Sequence, residues 1–353
     1  MNQRGFVKRF LQSAVLTLLL CFLFPGVYCM AEDDSFIRID RDDFEAWSEE
    51  LANVRFLEEE RMSGSAQFSE AQFLDLAGKL KERSDEVWII DCRLESHGLI
   101  NGIAVSWCGE KNALNLGKTA DEVEKEEDAF SGLIGTSVME YTSEDDHPQE
   151  GREVVVESWQ TERSLVENEG FHYLRLASPD HTWPDPEAVD AFIDFAKNLK
   201  QDAWLHFHCQ AGSGRTGAFM TIYEMLQKPD ASVEEILQHQ ADTGSGNLVD
   251  RAEPEKSYEQ KNRCVLAREV FNYIRENRES DFKQKWSEWF RDHSYELTIE
   301  KGADLPIEGA FSSDQQIVDD SFKAVGEGEA VVLVDDDVYF VKVNQGVNQG
   351  TVP

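Results

Sequence analysis

The sequence predicts an α/β protein built on a parallel sheet. Between residues 171 and 226, strand-like apolar runs alternate with helical runs in the order strand, loop, helix, strand, loop, helix. Upstream, the run VWIIDCR at residues 87–93 has the length and composition of a buried strand, and it ends in polar residues. Alternation of this kind is typical of a parallel sheet, because each parallel connection needs a crossover helix.

The elements of this core can be read in chain order. FHYLRLA is a strand, SPDHTWPDP a loop, PEAVDAFIDFAKNL a helix, AWLHFHC a strand and GRTGAFMTIYEML a helix. An earlier helix is predicted because Ser69, a good N-cap, precedes apolar residues at helical spacing. Those residues are Phe73, Leu74, Ala77 and Leu80.

The flanking regions have a different character. Residues 100–160 alternate short strand-like pieces with the charged run DEVEKEED, which predicts a small strand-rich insertion with no strong helix. SVEEILQHQ and CVLAREVFNYIREN continue the core as helices. Residues 295–353 form an acidic extension in which EAVVLVDDDVYFVKV predicts a β-hairpin with an acidic turn.

The first 31 residues resemble a secretory signal peptide. A basic start, MNQRGFVKRF, precedes an apolar run and a region suited to cleavage near Ala31. The alternative is a retained membrane anchor, since the run is only slightly shorter than the roughly 17 to 25 residues of a spanning helix. Cleavage and export to the periplasm or the medium is the expected outcome.

The chain is strongly acidic, with a formal net charge of -35. Loss of residues 1–31 removes three cations and no acid, which gives about -38. Such a surface repels nucleic acid and anionic lipid. An anionic substrate therefore requires a local basic pocket.

The cysteines favour neither a metal site nor a disulfide framework. Cys92, Cys108, Cys209 and Cys264 are widely spaced and form no Cys/His metal pattern, so a structural zinc is not expected. A disulfide between Cys92 and Cys108 is one possibility in an oxidising compartment. Two buried free thiols are favoured.

The segment His208 to Thr216, HCQAGSGRT, carries the chemistry, because it lies between a predicted strand and a predicted helix. Such a loop turns its amides toward a tetrahedral anion, and the helix N-terminus adds its positive end. These donors also favour a thiolate at Cys209. Arg215 presents a planar fork for two phosphate oxygens, and the Thr216 hydroxyl is predicted to donate to the sulfur.

This C-x5-R element resembles the phosphate loop of cysteine-dependent protein tyrosine phosphatases. A closer resemblance is to the bacterial protein-tyrosine-phosphatase-like phytases, which remove phosphates from inositol hexakisphosphate. It extends from about Phe56 to Ser294 and includes RLESHG at 93–98, AVSW at 104–107, LASPDHTWPDPE, AWLHFHCQAGSGRT and WSEWF. We therefore expect a signal peptide at 1–31, a phosphatase domain at 32–294 and an extension at 295–353 that lies outside the resemblance.

Two carboxylates compete for the role of general acid. The family pattern D-H-x-W-P assigns the acid to Asp180, whereas ordinary tyrosine phosphatases use the Asp directly after W-P, here Asp185. Asp185 precedes Pro186, so it is predicted to cap a helix with its carboxylate. Asp180 is therefore favoured.

The resemblance implies further contacts with substrate. It suggests Arg55, Asp91 and His97, with His181 in the acid loop. Lysines after QADTGSGN are also implied, but this region mixes Arg251, Lys256 and Lys261 with acids, and a solvated surface role for them is equally consistent. The amides of the loop would bind the reacting phosphate. These loop residues are Gln210, Ala211, Gly212, Ser213 and Gly214, and His208 is included with the catalytic group.

The function expected from this resemblance is hydrolysis of inositol hexakisphosphate through a cysteinyl phosphate, without a metal or other cofactor. A phosphotyrosine or phosphoinositide phosphatase is the alternative within enzymes. A non-catalytic phosphate-binding module is disfavoured, because Cys209, Arg215, Thr216 and Asp180 are all present. The sequence does not indicate an oligomeric state.

Overall fold

The computed structural model describes residues 35–41, 44, 50–109, 112, 114–144, 146–249, 258–306, 311–312, 317–318, 323–334 and 337–344. The predicted signal peptide lies outside these residues. No helix within the described ranges is long and apolar enough to span a membrane. The chain divides into two compact units. The first is Met1–Leu51, Gln67–Arg83 and Arg93–Ala177, and the second is Ala52–Ala66, Ser84–Cys92 and Ser178–Pro353.

Strands and helices are numbered here along the chain. The strands are β1 (Phe36–Ile39), β2 (Arg55–Leu57), β3 (Met62–Ser65), β4 (Val87–Arg93), β5 (His97–Ile100), β6 (Ile103–Cys108), β7 (Ser137–Glu144), β8 (His147–Val155), β9 (Trp159–Gln160), β10 (His172–Ser178), β11 (Trp204–His208), β12 (Tyr295–Glu300), β13 (Phe311–Ser312), β14 (Gly328–Val334) and β15 (Asp337–Asn344). The α-helices are α1 (Glu70–Lys81), α2 (Ala120–Ala129), α3 (Glu162–Asn168), α4 (Pro186–Lys197), α5 (Gly214–Gln227), α6 (Val233–Asp242), α7 (Tyr258–Asn277) and α8 (Trp286–Asp292).

The first unit is organised around a mixed sheet with strand order β8-β7-β1-β6-β5-β9. β1 pairs antiparallel with β6 and parallel with β7. Three rings hold one face of this sheet: Trp107 stacks on Phe130 with centroids 3.7 Å apart, and Trp159 meets both edge-on. The strands expected between residues 100 and 160 are therefore present and share one aromatic core.

The prediction of no strong helix between residues 100 and 160 is wrong, because α2 lies there. Thr119 and Glu122 form a capping box at its N-terminus, and acidic side chains in the first turn suit the positive end of the helix dipole. Only Val123 and Glu127 are buried along the helix. Such a narrow buried stripe gives almost no hydrophobic periodicity in the sequence.

The second unit contains the predicted parallel sheet. β11 pairs in parallel with β3 and β4, and β2 adds antiparallel to β3. Phe192 of α4 packs against Phe207 of β11 and Phe219 of α5, at centroid distances of 5.7 and 5.4 Å. His206 fixes β11 to β3 through buried contacts of 2.9 and 3.1 Å to the hydroxyls of Ser63 and Ser65. The α/β fold class predicted from the sequence is confirmed.

The C-terminal segment forms a sheet of its own with strand order β12-β15-β14-β13. β14 and β15 are antiparallel, which confirms the predicted hairpin, although residues 335–336 of its turn are not described. Their inner face joins a small core of aliphatic residues such as Val332 and Val341. Phe340 also packs against Phe290 of α8, with ring centroids 5.5 Å apart.

Gly212 lies in the loop between β11 and α5, where the backbone passes close to the end of β3. Its φ is +77°, in the left-handed region that favours glycine. A Cβ at this position would lie 2.4 Å from the backbone nitrogen of Ala66 and 2.4 Å from the carbonyl carbon of Ser65. Both contacts are with backbone at the end of β3, so no side-chain rotation can relieve them.

Replacing this glycine should therefore destabilise the second unit more than backbone strain alone explains. Gly212→Ala incurs the left-handed penalty of about 1 to 2 kcal/mol and also displaces the end of β3. Gly302→Ala is the matched control, because Gly302 has φ +92° and no heavy atom within 4 Å of the added Cβ. We expect a clearly lower denaturation midpoint for Gly212→Ala than for Gly302→Ala. Equal midpoints would contradict the packing described here.

Candidate active site

The phosphate-binding loop connects the C-terminal end of β11 to the first turn of α5. Cys209 follows the last residue of β11 and is 3% exposed. The backbone N–H of Gly212 donates a hydrogen bond to Cys209 Sγ at 3.3 Å. A donor aimed at sulfur, together with the N-terminus of a 14-residue helix, stabilises negative charge at this position.

Two side chains from the segment before β3 hold this loop by its carbonyl oxygens. Asn53 donates its amide N–H to the oxygen of Ala211 at 2.6 Å, and Arg55 Nη1 donates to the oxygen of Gly212 at 2.8 Å. Because the carbonyl oxygens of Ala211 and Gly212 point toward Asn53 and Arg55, the N–H groups of the same peptide units point away from these two side chains. Asn53 and Arg55 therefore orient the loop.

Arg55 supports the loop through several hydrogen bonds, and its predicted contact with substrate stays a prediction. Its guanidinium also donates to the carbonyl of Asn53 at 3.0 Å and to Ser245 Oγ at 3.4 Å. Burial lowers the pKa of Arg55 to about 10, and the negative charge of Cys209 opposes this shift. Arg55 therefore stays charged at neutral pH and contributes positive potential beneath the sulfur.

Arg215 and Asp180 form an ion pair at the site. Arg215 Nη2 lies 3.0 Å from Asp180 Oδ2, and Nη1 donates to the carbonyl of Ser178 at 3.3 Å. The Arg215 side chain is 1% exposed, whereas that of Asp180 is 19% exposed. The Arg215 guanidinium is thus buried, whereas the carboxylate predicted to be the acid is partly exposed to solvent.

The loop that carries Asp180 includes His181, whose φ of +62° marks a tight turn. The backbone N–H of His181 donates to Asp180 Oδ1 at 2.9 Å, so both carboxylate oxygens accept hydrogen bonds. The His181 residue itself is exposed. This places its side chain at the surface of the acid loop, where a contact with substrate remains a prediction.

Asp185 occupies the predicted N-cap position of α4, followed by Pro186 at the first helical position. Within the described residues, however, its carboxylate makes no capping hydrogen bond to the amides of α4. The sequence argument that these amides occupy the Asp185 carboxylate is therefore wrong. The preference for Asp180 still has the family pattern D-H-x-W-P behind it, and the ion pair with Arg215 adds a contact at the site.

Arg263 is a cation of the site that the sequence analysis missed. Its Nε donates to the carbonyl of Thr182 at 3.1 Å, and its Nη1 lies 3.0 Å from where a Cβ on Gly214 would be. Arg263 therefore joins the acid loop to the first residue of α5. The signal was weak, because one arginine on the amphipathic helix α7 does not stand out among its polar residues.

Three other predicted residues are buried away from solvent. Asp91 is 0% exposed in β4 and His208 is 0% exposed in β11. The Thr216 hydroxyl, also 0% exposed, has no hydrogen-bond partner among the described residues, so its predicted donation to Sγ is absent. The Asp91 carboxylate is fully buried, and its predicted contact with substrate stays a prediction.

His97 belongs to a buried charged network in the first unit, and its predicted contact with substrate stays a prediction. It is 1% exposed, and its Nδ1 lies 2.9 Å from the carbonyl of Glu95. Its backbone N–H donates to Glu127 Oε1 at 2.8 Å, and Arg175 pairs with the same carboxylate at 2.7 Å. Burial of ions is tolerated here because they are paired and hydrogen-bonded.

The predicted contacts after QADTGSGN are not tested by the structure. Arg251 and Lys256 lie outside the described residues. The backbone of Lys261 belongs to α7, but its side chain is also outside the description. Of the predicted phosphate-binding residues, Ala211 is exposed and Gly212 is buried, while Gln210, Ser213 and Gly214 are partly exposed.

A separate cluster in the second unit has ligand types that suit a metal ion. Glu60, Glu224 and His239 bring their ligand atoms within 4.8 Å of one another. Lys228 lies among these acids, 2.5 Å from Glu60 Oε1 and 2.7 Å from Glu224 Oε1. The single ammonium already pairs with both carboxylates, which is the arrangement of a structural ion-pair network.

Known proteins share this fold. The model of the PTP-like phytase family, described by the words inositol hexakisphosphate, matches residues 90–227. The PTP-like phytase of Bdellovibrio bacteriovorus is 30% identical with a TM-score of 0.60, over 72% of this chain and 94% of that chain. Effector protein hopD2 of Pseudomonas syringae pv. tomato is 26% identical over 218 residues, which are 57% of this chain and 45% of its own.

Two structures of a Mitsuokella multacida protein are also similar. The tandemly repeated protein tyrosine phosphatase like phytase is 32% identical with a TM-score of 0.66, over 72% of this chain and 49% of that chain. The second structure is the PTP-like myo-inositol phosphatase from Mitsuokella multacida in complex with myo-inositol-(1,3,4,5)-tetrakisphosphate. It is 32% identical with a TM-score of 0.65, over 72% of this chain and 49% of that chain. This chain thus spans about half the length of the Mitsuokella protein and of hopD2. The chain belongs to the family of protein-tyrosine-phosphatase-like phytases.

Proposed function

We propose that the protein hydrolyses phosphomonoesters of myo-inositol hexakisphosphate through a cysteinyl-phosphate intermediate on Cys209. Two contacts at the phosphate-binding loop carry this proposal: the Gly212 N–H donates to Cys209 Sγ, and the Arg215 guanidinium pairs with Asp180. The tetrakisphosphate bound by the related Mitsuokella protein supports inositol phosphates as the substrate class.

The first step transfers the phosphoryl group to sulfur. The Cys209 thiolate attacks phosphorus in line, and the S–P bond forms as the P–O bond to inositol breaks. Arg215 binds two equatorial oxygens through its fork, and the loop amides bind the charge that spreads over them. Asp180 donates a proton to the leaving alkoxide, which is too basic to depart as an anion.

The second step regenerates the thiolate. Water attacks phosphorus opposite sulfur while Asp180, now a carboxylate, accepts its proton. The S–P bond breaks, and phosphate leaves. The Gly212 N–H, 3.3 Å from Sγ, stabilises the departing thiolate as it did the attacking one.

The Asp180–Arg215 ion pair explains why the Asp180 carboxylate takes up a proton when substrate binds. While Arg215 faces Asp180, the guanidinium favours the ionised carboxylate. A phosphate in the fork competes for that guanidinium and sets its own negative charge beside Asp180. Both effects favour the protonated carboxyl, so substrate binding prepares Asp180 to act as an acid.

A substrate with several phosphates needs cations beyond the clamp. Arg55 lies beneath the loop, and Arg263 lies beside Gly214 and the acid loop. Arg263 is therefore the described cation best placed to meet a second phosphate at the opening. These local charges have to outweigh the repulsion from a chain of net charge -35.

The substrate proposal is tested by comparing kcat/KM on inositol hexakisphosphate, a phosphotyrosine peptide and a phosphoinositide. We expect the highest value with inositol hexakisphosphate. Cys209→Ser should have no measurable turnover on any of the three, because its hydroxyl is a much poorer nucleophile. A higher kcat/KM on phosphotyrosine or phosphoinositide would replace the proposed substrate, and turnover by Cys209→Ser would exclude the covalent mechanism.

The general acid is identified by comparing two substrates whose leaving groups differ in their need for a proton. Asp180→Asn should lower kcat on inositol hexakisphosphate by roughly 10² to 10⁴, the usual contribution of a general acid. The loss in phosphoryl transfer should shrink with 4-nitrophenyl phosphate, whose leaving group departs without a proton. Asp185→Asn is the matched control and should change either rate little. If the two variants exchange these phenotypes, Asp185 is the acid.

A further inference from the structure

One peptide unit connects an exposed asparagine, Asn53, to the nucleophile. This unit joins Ala211 to Gly212 in the phosphate-binding loop. Its carbonyl oxygen accepts a hydrogen bond from Asn53 Nδ2 at 2.6 Å. Its N–H, on the opposite side of the same plane, donates to Cys209 Sγ at 3.3 Å. Asn53 is therefore linked to the sulfur through two hydrogen bonds and one peptide unit.

A peptide unit transmits both orientation and polarisation. Because the unit is planar, a side chain that fixes the direction of the carbonyl also fixes the direction of the N–H on the opposite side. Hydrogen bonds in a chain also strengthen one another, by roughly 10 to 30% per bond. A donor on the Ala211 oxygen therefore aims the Gly212 N–H at Sγ and makes it a stronger donor.

The backbone of Asn53 is held independently of its side chain. Its φ of +52° lies in the left-handed region, which asparagine tolerates better than most residues. Arg55 Nη1 donates to the carbonyl of Asn53 at 3.0 Å. The carbonyl of Ala52 accepts from the N–H of Ala66, just after β3, at 2.9 Å. The turn is thus fixed to the end of β3, and it presents the Asn53 amide to the loop.

We propose that Asn53 is a positioning residue, which stabilises the thiolate of Cys209 through the Ala211–Gly212 peptide unit. This role deepens the proposed function and rests on Cys209 being its nucleophile. A hydrogen bond to the charged form of an acid favours that form, so the contact keeps the thiolate populated at lower pH. It serves both chemical steps, because sulfur attacks as a thiolate and leaves as one.

A purely structural role for Asn53 has a different consequence. A contact that only holds the shape of the loop changes stability, or changes activity by a similar factor at every pH. A contact that stabilises the thiolate changes the pH at which the thiolate forms. The two roles are therefore separated by a pH profile of the Cys209 sulfur itself, and this profile needs no phosphate ester.

The profile is measured by alkylating the full-length protein with iodoacetamide, an uncharged reagent that reacts with the thiolate. Mass spectrometry of the tryptic peptide 201–215 follows Cys209 alone, because that peptide contains no other cysteine. Asn53→Gly tolerates the left-handed φ and removes the donor. We expect its alkylation midpoint to lie above that of the parent by roughly 0.5 to 2 pH units, the range from a weakened to a lost hydrogen bond to an anion.

Asn101→Gly is the matched control. Asn101 also has a φ of +52°, and its Nδ2 also donates to a backbone carbonyl, that of Val155, at 2.9 Å. It belongs to the first unit, so its alkylation midpoint should equal that of the parent. Equal midpoints for Asn53→Gly and the parent would overturn the proposal. So would an equally large shift in Asn101→Gly, because the contact with Ala211 would then not be its cause.

Asn53→Asp is a second variant, of the same size as the parent residue. Its carboxylate cannot donate to the Ala211 oxygen, and it adds negative charge beside the loop. Its alkylation midpoint should therefore lie above that of Asn53→Gly, and the acid limb of kcat/KM on 4-nitrophenyl phosphate should move with it. A midpoint at the value of the parent would contradict the proposal. Alkylation involves no substrate, so that result would leave the inositol phosphate proposal standing, and a preference for phosphotyrosine would leave the role of Asn53 standing.

Discussion

The site depends on the contact between Gly212 and the end of β3. Because the loop backbone lies against Ser65 and Ala66 without an intervening side chain, β3 fixes the height of the loop above the sheet. β3 in turn pairs with β11, the strand that delivers Cys209. The carbonyl of Gly212 reaches Arg55, and its N–H reaches the sulfur. One glycine residue thus connects the sheet, the supporting cation and the nucleophile.

Charge is distributed unevenly in this molecule. The chain carries -35 overall, yet Arg215, Arg55 and Arg263 gather around one helix N-terminus. Arg215 and Arg55 are held by backbone carbonyls as well as by side chains, so their positions do not depend on a bound anion. Preorganised positive charge of this kind favours the phosphoryl transition state, because no reorganisation is needed when charge develops.

Sequence predicted the elements whose signals are local. β4 begins and ends at the predicted residues, the Ser69 cap precedes α1, and the C-x5-R loop lies between a strand and a helix. Contacts between distant segments were less accessible. Nothing near Arg55 in the chain indicates that it bonds the carbonyl of Gly212, 157 residues away. The contact between Arg263 and Thr182 and the ion network around the buried His97 also join residues far apart in the chain, so no local pattern predicts them.

The central claim is that phosphate passes through Cys209, and trapping the intermediate tests it most directly. Asp180→Asn should transfer the phosphoryl group from 4-nitrophenyl phosphate rapidly but hydrolyse the phosphoenzyme slowly, because the second step loses its base. Denaturing the mixture during turnover, followed by mass spectrometry of residues 201–215, should reveal one phosphoryl group on Cys209. A burst of nitrophenolate with no phosphoryl group on this peptide, or with the group on another residue, would contradict the account.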